Sequence, residues 1–296
     1  MTAEQVWTVK AALDWTVGYL AEQGDEHPRL SAEWLLSAAT GLSRVELYAH
    51  HDRPLSDDER TSLREGVRRR AGGEPLQYVS GEVAFRHLVL KLRPGVLIPR
   101  PETEVLVDAV MPAVAQAVAT HECALVADIC TGSGCIALSI AQESPGARVH
   151  AGDLSLLAVE VTAENAERLG LADRVTVARG DLFEAIPAEL LGSFDVVVSN
   201  PPYVPSADVP ALPVEVAGFE PHLALDGGVD GLEIYRRILS AARDWLRPGG
   251  VIGVELDERM VRIAASDAER WYQDVRVISD LAGRDRIVVA RTPETP

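Results

Sequence analysis

Ala124-Leu125-Val126-Ala127-Asp128-Ile129 runs without a break into Cys130-Thr131-Gly132-Ser133-Gly134, and from Gly134 the spacing turns helical. A short apolar run that ends in a glycine-bearing loop at a helix start is the opening βα unit of an open α/β sheet. Backbone N–H groups at such a start point past the strand ends, and glycine leaves room for a ligand to come close. Asp153 closes the next strand, where its carboxylate is placed to accept hydrogen bonds from ribose hydroxyls. Cys130, Thr131, Gly132, Ser133, Gly134 and Asp153 together describe a nucleoside site. The loop does not say which nucleoside, since Gly132, Gly134 and Ala137 also satisfy the G-x-G-x-x-A form of a dinucleotide fingerprint. NAD and S-adenosylmethionine stand level at this point, with a ligand-free glycine turn as the third reading.

A second stretch separates them. Asp195-Val196-Val197-Val198-Ser199 reads as a buried strand that delivers Asn200-Pro201-Pro202-Tyr203 to the same edge of the sheet. Two consecutive prolines stiffen the backbone and donate no hydrogen bonds, so their carbonyls are left to accept. The Asn200 side-chain carbonyl and the Pro201 backbone carbonyl can each take one N–H of an amide or amine at ~3 Å, and Tyr203 is placed to stack on the flat group. This arrangement suits methyl transfer to a conjugated nitrogen. The lone pair is spread into its carbonyl or ring, and two acceptors pin both hydrogens while the lone pair faces the methyl donor. A plain proline turn after a buried strand is the alternative, weakened by the nucleoside loop that precedes it.

Outward from these stretches, helical and strand patterns alternate. A helix runs from Glu102 to about Val118, a second starts at Gly134, a third spans Ser155 to Leu169, and a fourth lies around Ile234 to Trp245. Between them fall strands at Arg148 to Asp153, Val175 to Arg179, Phe194 to Asn200 and Val251 to Leu256. Such alternation implies a parallel sheet with helices on both faces. Val275 to Ile278 and Ile287 to Ala290 are spaced to pair as a hairpin on the sheet edge. No internal repeat is visible, and only the last few residues look loose.

The first 73 residues differ in kind. Val6, Val9, Leu13, Val17 and Leu20 recur at helical spacing, and Leu30, Trp34, Leu35 and Ala38 do so after Pro28. Ser43 with Glu46 and Ser56 with Glu59 each fit a capping box, and Gly72 with Gly73 stops the last helix. Residues 1–73 are therefore expected to be an all-helical unit. Residues 74–101 form a structured linker, with strands at Val83 to Phe85 and over Leu88, Leu90 and Leu92 turning at Arg86 and His87. Residues 102–296 form the α/β domain.

Composition narrows the function classes. The chain has 296 residues, 47% hydrophobic and 25% charged, enough apolar surface for full cores. A formal charge of −17 disfavours unaided binding to a phosphate backbone. Arg68, Arg69 and Arg70 are the dense basic run and read as the solvated end of a helix. Cys123, Cys130 and Cys135 show no CxxC pairing and no histidine at zinc-like spacing, so no metal is expected and they read as small buried residues in a reducing compartment. No signal-like start and no apolar run of roughly 20 residues is evident, which places the protein in the cytoplasm without a membrane partner.

Several longer stretches resemble the peptide chain release factor glutamine methyltransferases over roughly residues 74 to 291. They are Glu74-Pro75 with Gln77-Tyr78 and Gly81, Leu97 through Glu104 (LIPRPETE), Thr131 through Gly134, Asn200 through Tyr203, Phe219 through Leu232 (FEPHLALDGGVDGL) and Gly283-Arg284-Asp285-Arg286. Asn-Pro-Pro-Tyr alone is shared with DNA adenine and ribosomal RNA guanine methyltransferases and specifies only the acceptor nitrogen. LIPRPETE and EPHLALDGG are far more specific.

The resemblance implies a class I methyltransferase (Rossmann-like) seven-stranded sheet, joined through a β-hairpin to a small N-terminal helical domain that recruits the substrate. It implies S-adenosylmethionine as cofactor, class I release factors as protein substrates and the glutamine of their Gly-Gly-Gln loop as acceptor. Cofactor contacts carry over to Cys130 through Gly134, Asp153, Asp181, Leu182 and Asn200, and glutamine contacts to Asn200, Pro201, Pro202 and Tyr203. Arg100, Pro101 and Glu102 are assigned to the peptide channel.

Three positions depart from the family pattern: Cys130 where glycine is usual, Leu182 after Asp181 where many relatives carry tryptophan, and Leu256-Asp257-Glu258-Arg259 after Glu255 in place of a Gly and Gln pattern. A glutamine methyltransferase of a ribosomal protein is the nearest alternative. A nucleic-acid amino-methyltransferase is disfavoured by the acidic charge, and a noncatalytic nucleoside-binding module by the intact Asn200 to Tyr203 clamp.

Overall fold

The N-terminal stretch and the stretch that follows build their own apolar clusters because helical periodicity in the first and strand–helix alternation in the second bury different faces. The computed structural model describes residues 6–294, so the loose end expected at the C-terminus falls partly outside the described residues. The chain divides into units Met1–Glu82 and Val83–Pro296.

In the first unit, α1 (Val9–Glu22), α2 (Pro28–Thr40), α3 (Arg44–Ala49), α4 (Asp57–Ala71) and α5 (Leu76–Ser80) enclose Leu13, Leu20, Leu35, Leu36, Leu47 and Leu63. Both capping boxes form, Ser43 with Glu46 and Ser56 with Glu59, and the Gly72 N–H caps α4. Three details correct the sequence reading. Val6 precedes α1 and is exposed, because Thr8 caps that helix by accepting from the Ala11 N–H. The inner face of α2 is Ala32, Leu35 and Leu36, with Leu30 and Ala38 exposed; buried Glu33, held by Arg44 and the Tyr48 hydroxyl, belongs to that face too. Of the basic run only Arg68 is solvated: Arg69 pairs with Glu74, and Arg70 with Asp25 at 2.7 Å. The short helix α5 has no counterpart in the periodicity analysis.

The second unit opens with a two-stranded hairpin, β1 (Glu82–Phe85) and β2 (Leu88–Lys91), as expected from its sequence. Thereafter come α6 (Pro101–His121), β3 (Ala124–Ile129), α7 (Cys135–Glu143), β4 (Ala147–Asp153), α8 (Leu156–Arg168), β5 (Val175–Arg179) and β6 (Phe194–Ser199). The chain continues through α9 (Val214–Ala217), α10 (Glu233–Trp245), β7 (Leu246–Glu255), α11 (Val261–Ala268), β8 (Gln273–Ser279) and β9 (Asp285–Arg291). Seven strands form one sheet in the order β5-β4-β3-β6-β7-β9-β8, parallel from β5 to β7. The last strand inserts antiparallel between β7 and the edge strand β8. The expected α/β class and terminal hairpin are present, and this sheet is that of a class I, Rossmann-like methyltransferase. All six residues of β6 are buried, the pattern of a strand covered on both faces.

Strand order reverses between β3 and β6, so the crevice beyond their carboxyl ends is the expected ligand position. The hairpin is tied to that region, because Asn165 of α8 accepts from Lys91 N at 2.7 Å and donates to the carbonyls of Lys91 and Ser133 at 3.0 and 3.1 Å.

Two further expectations are revised. Against the reading that no apolar run reaches membrane length, α6 passes by length and composition with a mean hydropathy of 1.2. Its Leu106, Val107, Val110 and Val114 are buried, and the helix packs that one face on β3, β6 and β7 while carrying Glu102, Glu104 and Asp108. The stretch Leu256-Asp257-Glu258-Arg259 has a local role. Leu256 is buried, the Asp257 carbonyl accepts from Met260 and Val261 at the start of α11, and Arg259 bridges Asp257 and Asp208, both at 2.9 Å. Of the cysteines, Cys135 is buried and Cys123 and Cys130 are half-buried.

Candidate active site

Register brings the two decisive loops together. Ile129 of β3 pairs with Ser199 of β6, so Cys130 and Asn200 leave the sheet side by side. Beyond them lies an open cleft, whose space including the solvent at its mouth is about 960 Å³. Cys130, Gly132, Asp153, Asp181, Leu182, Asn200 and Pro202 line it.

The glycine loop owes its shape to a few buried bonds. Asp128 is fully buried, its Oδ2 accepting from Thr131 Oγ1 at 2.7 Å and Ala137 N at 3.1 Å, and burial pushes its carboxyl up to about 7. Cys130 sits at φ 64°, a left-handed position that glycine adopts more cheaply, which accounts physically for glycine being the usual residue there. Gly134 is at φ 82°, and a Cβ there would lie 2.8 Å from Thr162 Cγ2, so the close approach of α7 to α8 requires glycine. Thr131, Ser133 and Gly134 thus build the loop from behind, while Cys130 and Gly132 face the cleft. A Cβ on Gly132 would meet nothing within 4 Å, because the space it would enter is cleft.

Asp153 is anchored rather than loose. Its Oδ2 accepts from Gly132 N and its Oδ1 from Ser155 N, both at 2.9 Å, while burial raises its pKa. Each carboxylate oxygen keeps a further lone pair for a hydroxyl. The opposite walls are apolar, supplied by Val96, Leu97, Leu154, Leu182, Leu223 and Ile234. Leu182 takes φ 51°, and its neighbour Asp181 accepts from Arg237 Nη2 at 2.7 Å. An anchored carboxylate facing aliphatic walls, with a glycine that leaves space open, fits an adenosyl group.

On the acceptor side, Asn200 Nδ2 donates to Thr103 Oγ1 at 3.0 Å, which leaves Oδ1 as the unengaged oxygen of that amide. Pro202 lines the cleft, whereas Pro201 is buried behind it. Tyr203 is half-buried and does not line the cleft; its hydroxyl lies 3.5 Å from Glu255 Oε1. The stretch 219–232 braces this turn. Val204 N donates to the Leu225 carbonyl at 2.9 Å and Gly227 N to the Val204 carbonyl at 2.8 Å. Gly227 packs so closely that a Cβ would fall 2.7 Å from Tyr203 Cα.

Arg100, Pro101 and Glu102 lie off this cleft. Arg100 pairs with buried Glu220 at 2.5 Å, and Glu102 with Arg284 at 2.8 Å; Pro101 and Glu102 line a separate shallow pocket beside Asp280 and Arg284. The sequence reading missed Thr103, Arg237, Ile234 and the Gly95 to Leu97 wall. Leu97 and Thr103 lie inside LIPRPETE and were within reach of that motif; the others are joined only by the fold.

Comparison with known proteins agrees with this geometry. Residues 11–81 match the family model described as the PrmC N-terminal domain, and residues 103–212 the methyltransferase small domain. The release factor glutamine methyltransferase of Geobacter sulfurreducens is 45% identical over 288 residues, covering 97% of this chain and 98% of the relative. That of Moorella thermoacetica is 44% identical over 286 residues, covering 96% and 98%. Among solved structures, a methyltransferase from Pyrococcus furiosus superposes with a TM-score of 0.50 at 20% identity, over 71% of this chain and 91% of that one. The hMettl16 catalytic domain in complex with the MAT2A 3′UTR hairpin 6 gives 0.53 at 15% identity, over 70% and 76%, a likeness of fold alone.

Proposed function

Because the chain belongs to the release factor glutamine methyltransferase family, we propose that it transfers a methyl group from S-adenosylmethionine to the side-chain amide nitrogen of the glutamine in the Gly-Gly-Gln loop of class I peptide chain release factors. The single observation that carries the reading is that Asn200 and Pro202 line the same cleft as Cys130, Gly132 and Asp153. A nucleoside-binding wall and an amide-binding turn thereby share one space.

When bound, S-adenosylmethionine supplies an electrophilic methyl on a sulfonium. The protein's share is positioning. Asp153 would hold the ribose hydroxyls, the loop from Cys130 to Gly134 would hold the amino-acid end, and Leu182 and Ile234 would hold the base beside the Asp181–Arg237 pair. Asn200 Oδ1 and the Pro201 carbonyl accept the two N–H groups of the glutamine amide, holding its nitrogen toward the methyl. The prolines keep both acceptors still, so little reorganisation is needed at the moment of transfer. Tyr203, off the cleft, supports the turn from behind. Residues 1–73 recruit the release factor, 74–101 link, and 102–296 catalyse, with Arg100, Pro101 and Glu102 contacting the peptide that leads to the glutamine.

The test is incubation of the full chain with methyl-labelled cofactor and, separately, a purified class I release factor, a ribosomal protein and duplex DNA. Label on the release factor, lost when its Gly-Gly-Gln glutamine is replaced, is the expected result. Label on either of the other substrates alone rejects the assignment.

A further inference from the structure

Asn165 of α8 is fully buried and does not line the cleft, yet its amide is bonded to two segments that do. Its Oδ1 accepts from Lys91 N at 2.7 Å, and its Nδ2 donates to the Lys91 carbonyl at 3.0 Å and to the Ser133 carbonyl at 3.1 Å. The amide thus takes both backbone groups of Lys91, as an antiparallel neighbour strand would, and gives its other N–H to the glycine loop. Turned over, it would set Nδ2 against the Lys91 N–H and Oδ1 against two carbonyls, so its partners admit one orientation only. One helical turn earlier, Thr162, also fully buried, donates from Oγ1 to the Gly132 carbonyl at 2.9 Å.

We propose that Asn165 is a positioning residue that ties the Gly95 to Leu97 wall of the cleft to the cofactor loop, with Thr162 as a second hold on that loop, so that cofactor affinity depends on where β2 sits. The inference rests on the placement of S-adenosylmethionine in the proposed function.

The two walls come from different parts of the chain. Lys91 is the last residue of β2, and Gly95, Val96 and Leu97 follow it closely; Cys130 and Gly132 belong to the turn from β3 into α7. Little slack separates Lys91 from its wall, since Val96 N donates to the Arg93 carbonyl at 3.1 Å and a Cβ on Gly95 would lie 3.0 Å from Leu157 Cδ2 of α8. A displacement of Lys91 is therefore carried into the cleft. On the loop side, the C=O and N–H of a trans peptide point in opposite directions, so holding the Gly132 and Ser133 carbonyls from α8 fixes where the following N–H groups point. One buried amide serves both walls, and neither can shift without disturbing a bond to the other. A role in stability alone would lower Tm and leave the folded protein's cofactor affinity untouched.

Calorimetry on the full chain with S-adenosylhomocysteine, which binds without reacting, tests the tie at temperatures well below Tm. Thr162→Val keeps the side-chain shape and loses the hydroxyl. Affinity falls about tenfold, and Thr162→Ser restores it to within about threefold of the parent. Asn165→Asp keeps an acceptor for Lys91 N but sets an oxygen against the Lys91 and Ser133 carbonyls. Affinity falls about 10- to 100-fold, and in methyl transfer KM for S-adenosylmethionine rises by a similar factor while kcat at saturating cofactor stays within about threefold. Should Asn165→Asp fail to fold, hydrogen exchange in the parent decides. The Lys91 N–H lies off the cleft, and it exchanges more slowly with S-adenosylhomocysteine bound, because coupling between two sites acts in both directions.

Parental affinity in either variant, or a Lys91 N–H whose exchange the ligand does not change, overturns the proposal. No binding of S-adenosylhomocysteine to the parent removes the cofactor placement and the tie together. Binding with the stated losses, but no label on a class I release factor, rejects the substrate assignment and leaves the tie in place.

Discussion

Ser199 Oγ donates to the carbonyl of Ile129 at 2.6 Å, across the strand pair from whose ends the nucleoside loop and the amide-binding turn emerge. Both loops are thus referenced to one rigid, buried pair of β-strands. A shift of about 1 Å in either loop would disturb the alignment of donor and acceptor that the transfer requires.

Asn200→Ala is expected to separate binding from transfer. It removes one of two acceptors and leaves an acceptor-amide N–H unpaired, so kcat falls about 10²-fold or more, a loss of roughly 3 kcal/mol. Cofactor affinity, measured by calorimetry, stays within about threefold, because the ribose contacts lie on β4 and the glycine loop. Equal turnover in variant and parent rejects the clamp.

Asp153→Ala is expected to do the reverse. Its carboxylate orients the Gly132 and Ser155 N–H groups besides facing the cleft, so removing it disturbs both the loop and the hydroxyl acceptor. Cofactor affinity falls about 10- to 100-fold, equivalent to ~1.4 to 3 kcal/mol. Unchanged affinity would remove Asp153 from the site.

Gly227→Ala tests the brace. Its Cβ would meet Tyr203 Cα at 2.7 Å and the Pro202 carbonyl at 2.8 Å, both backbone atoms that yield only if the turn moves. Overpacking of this kind costs ~1–3 kcal/mol of stability, and kcat is expected to fall at least about tenfold while cofactor affinity holds. A thermal melt with paired turnover and calorimetry reads all three, and parental turnover would show the turn to be independent of the stretch 219–232.

How much of this was readable beforehand depends on whether the signal was local. The strand from Ala124 to Ile129, the two capping boxes and the hairpin at Arg86 each depend on neighbours in sequence, and each appears where periodicity and turn chemistry put it. The burial of Glu33 on α2 and the folded-back Arg70 depend on partners outside their own helices, Arg44 for Glu33 and Asp25 for Arg70, and spacing is silent about them. The same holds in the candidate site. Cys130, Gly132, Asp153 and Asn200 announce themselves at strand ends, but the Asn200–Thr103 bond joins residues 97 positions apart. Arg237 of α10 and Asp181 beyond the end of β5 meet across 56 positions of sequence.

Asp128 and Glu255 make stability depend on pH in a stated direction. Both are buried, and both have carboxyl pKa values raised to about 7 from ordinary values of 3.8 and 4.5, chiefly by desolvation. The folded chain therefore binds these two protons more tightly than the unfolded chain does. Their effect on stability is most favourable below pH 4, declines as pH rises through the window from about 4 to 7, and levels off above it. Each group contributes at most about 1.4 kcal/mol of decline per pH unit. Carboxylates with lowered pKa, such as Glu143 beside Arg86, act in the opposite sense, so the informative quantity is the difference between parent and variant. Asp128→Asn keeps an oxygen for Thr131 and Ala137 but cannot ionise. Its stability relative to the parent should rise between pH 5 and pH 8 in denaturant titrations. A difference that stays flat over that range would show that Asp128 is ionised throughout and that its burial is compensated by bonds other than those to Thr131 and Ala137.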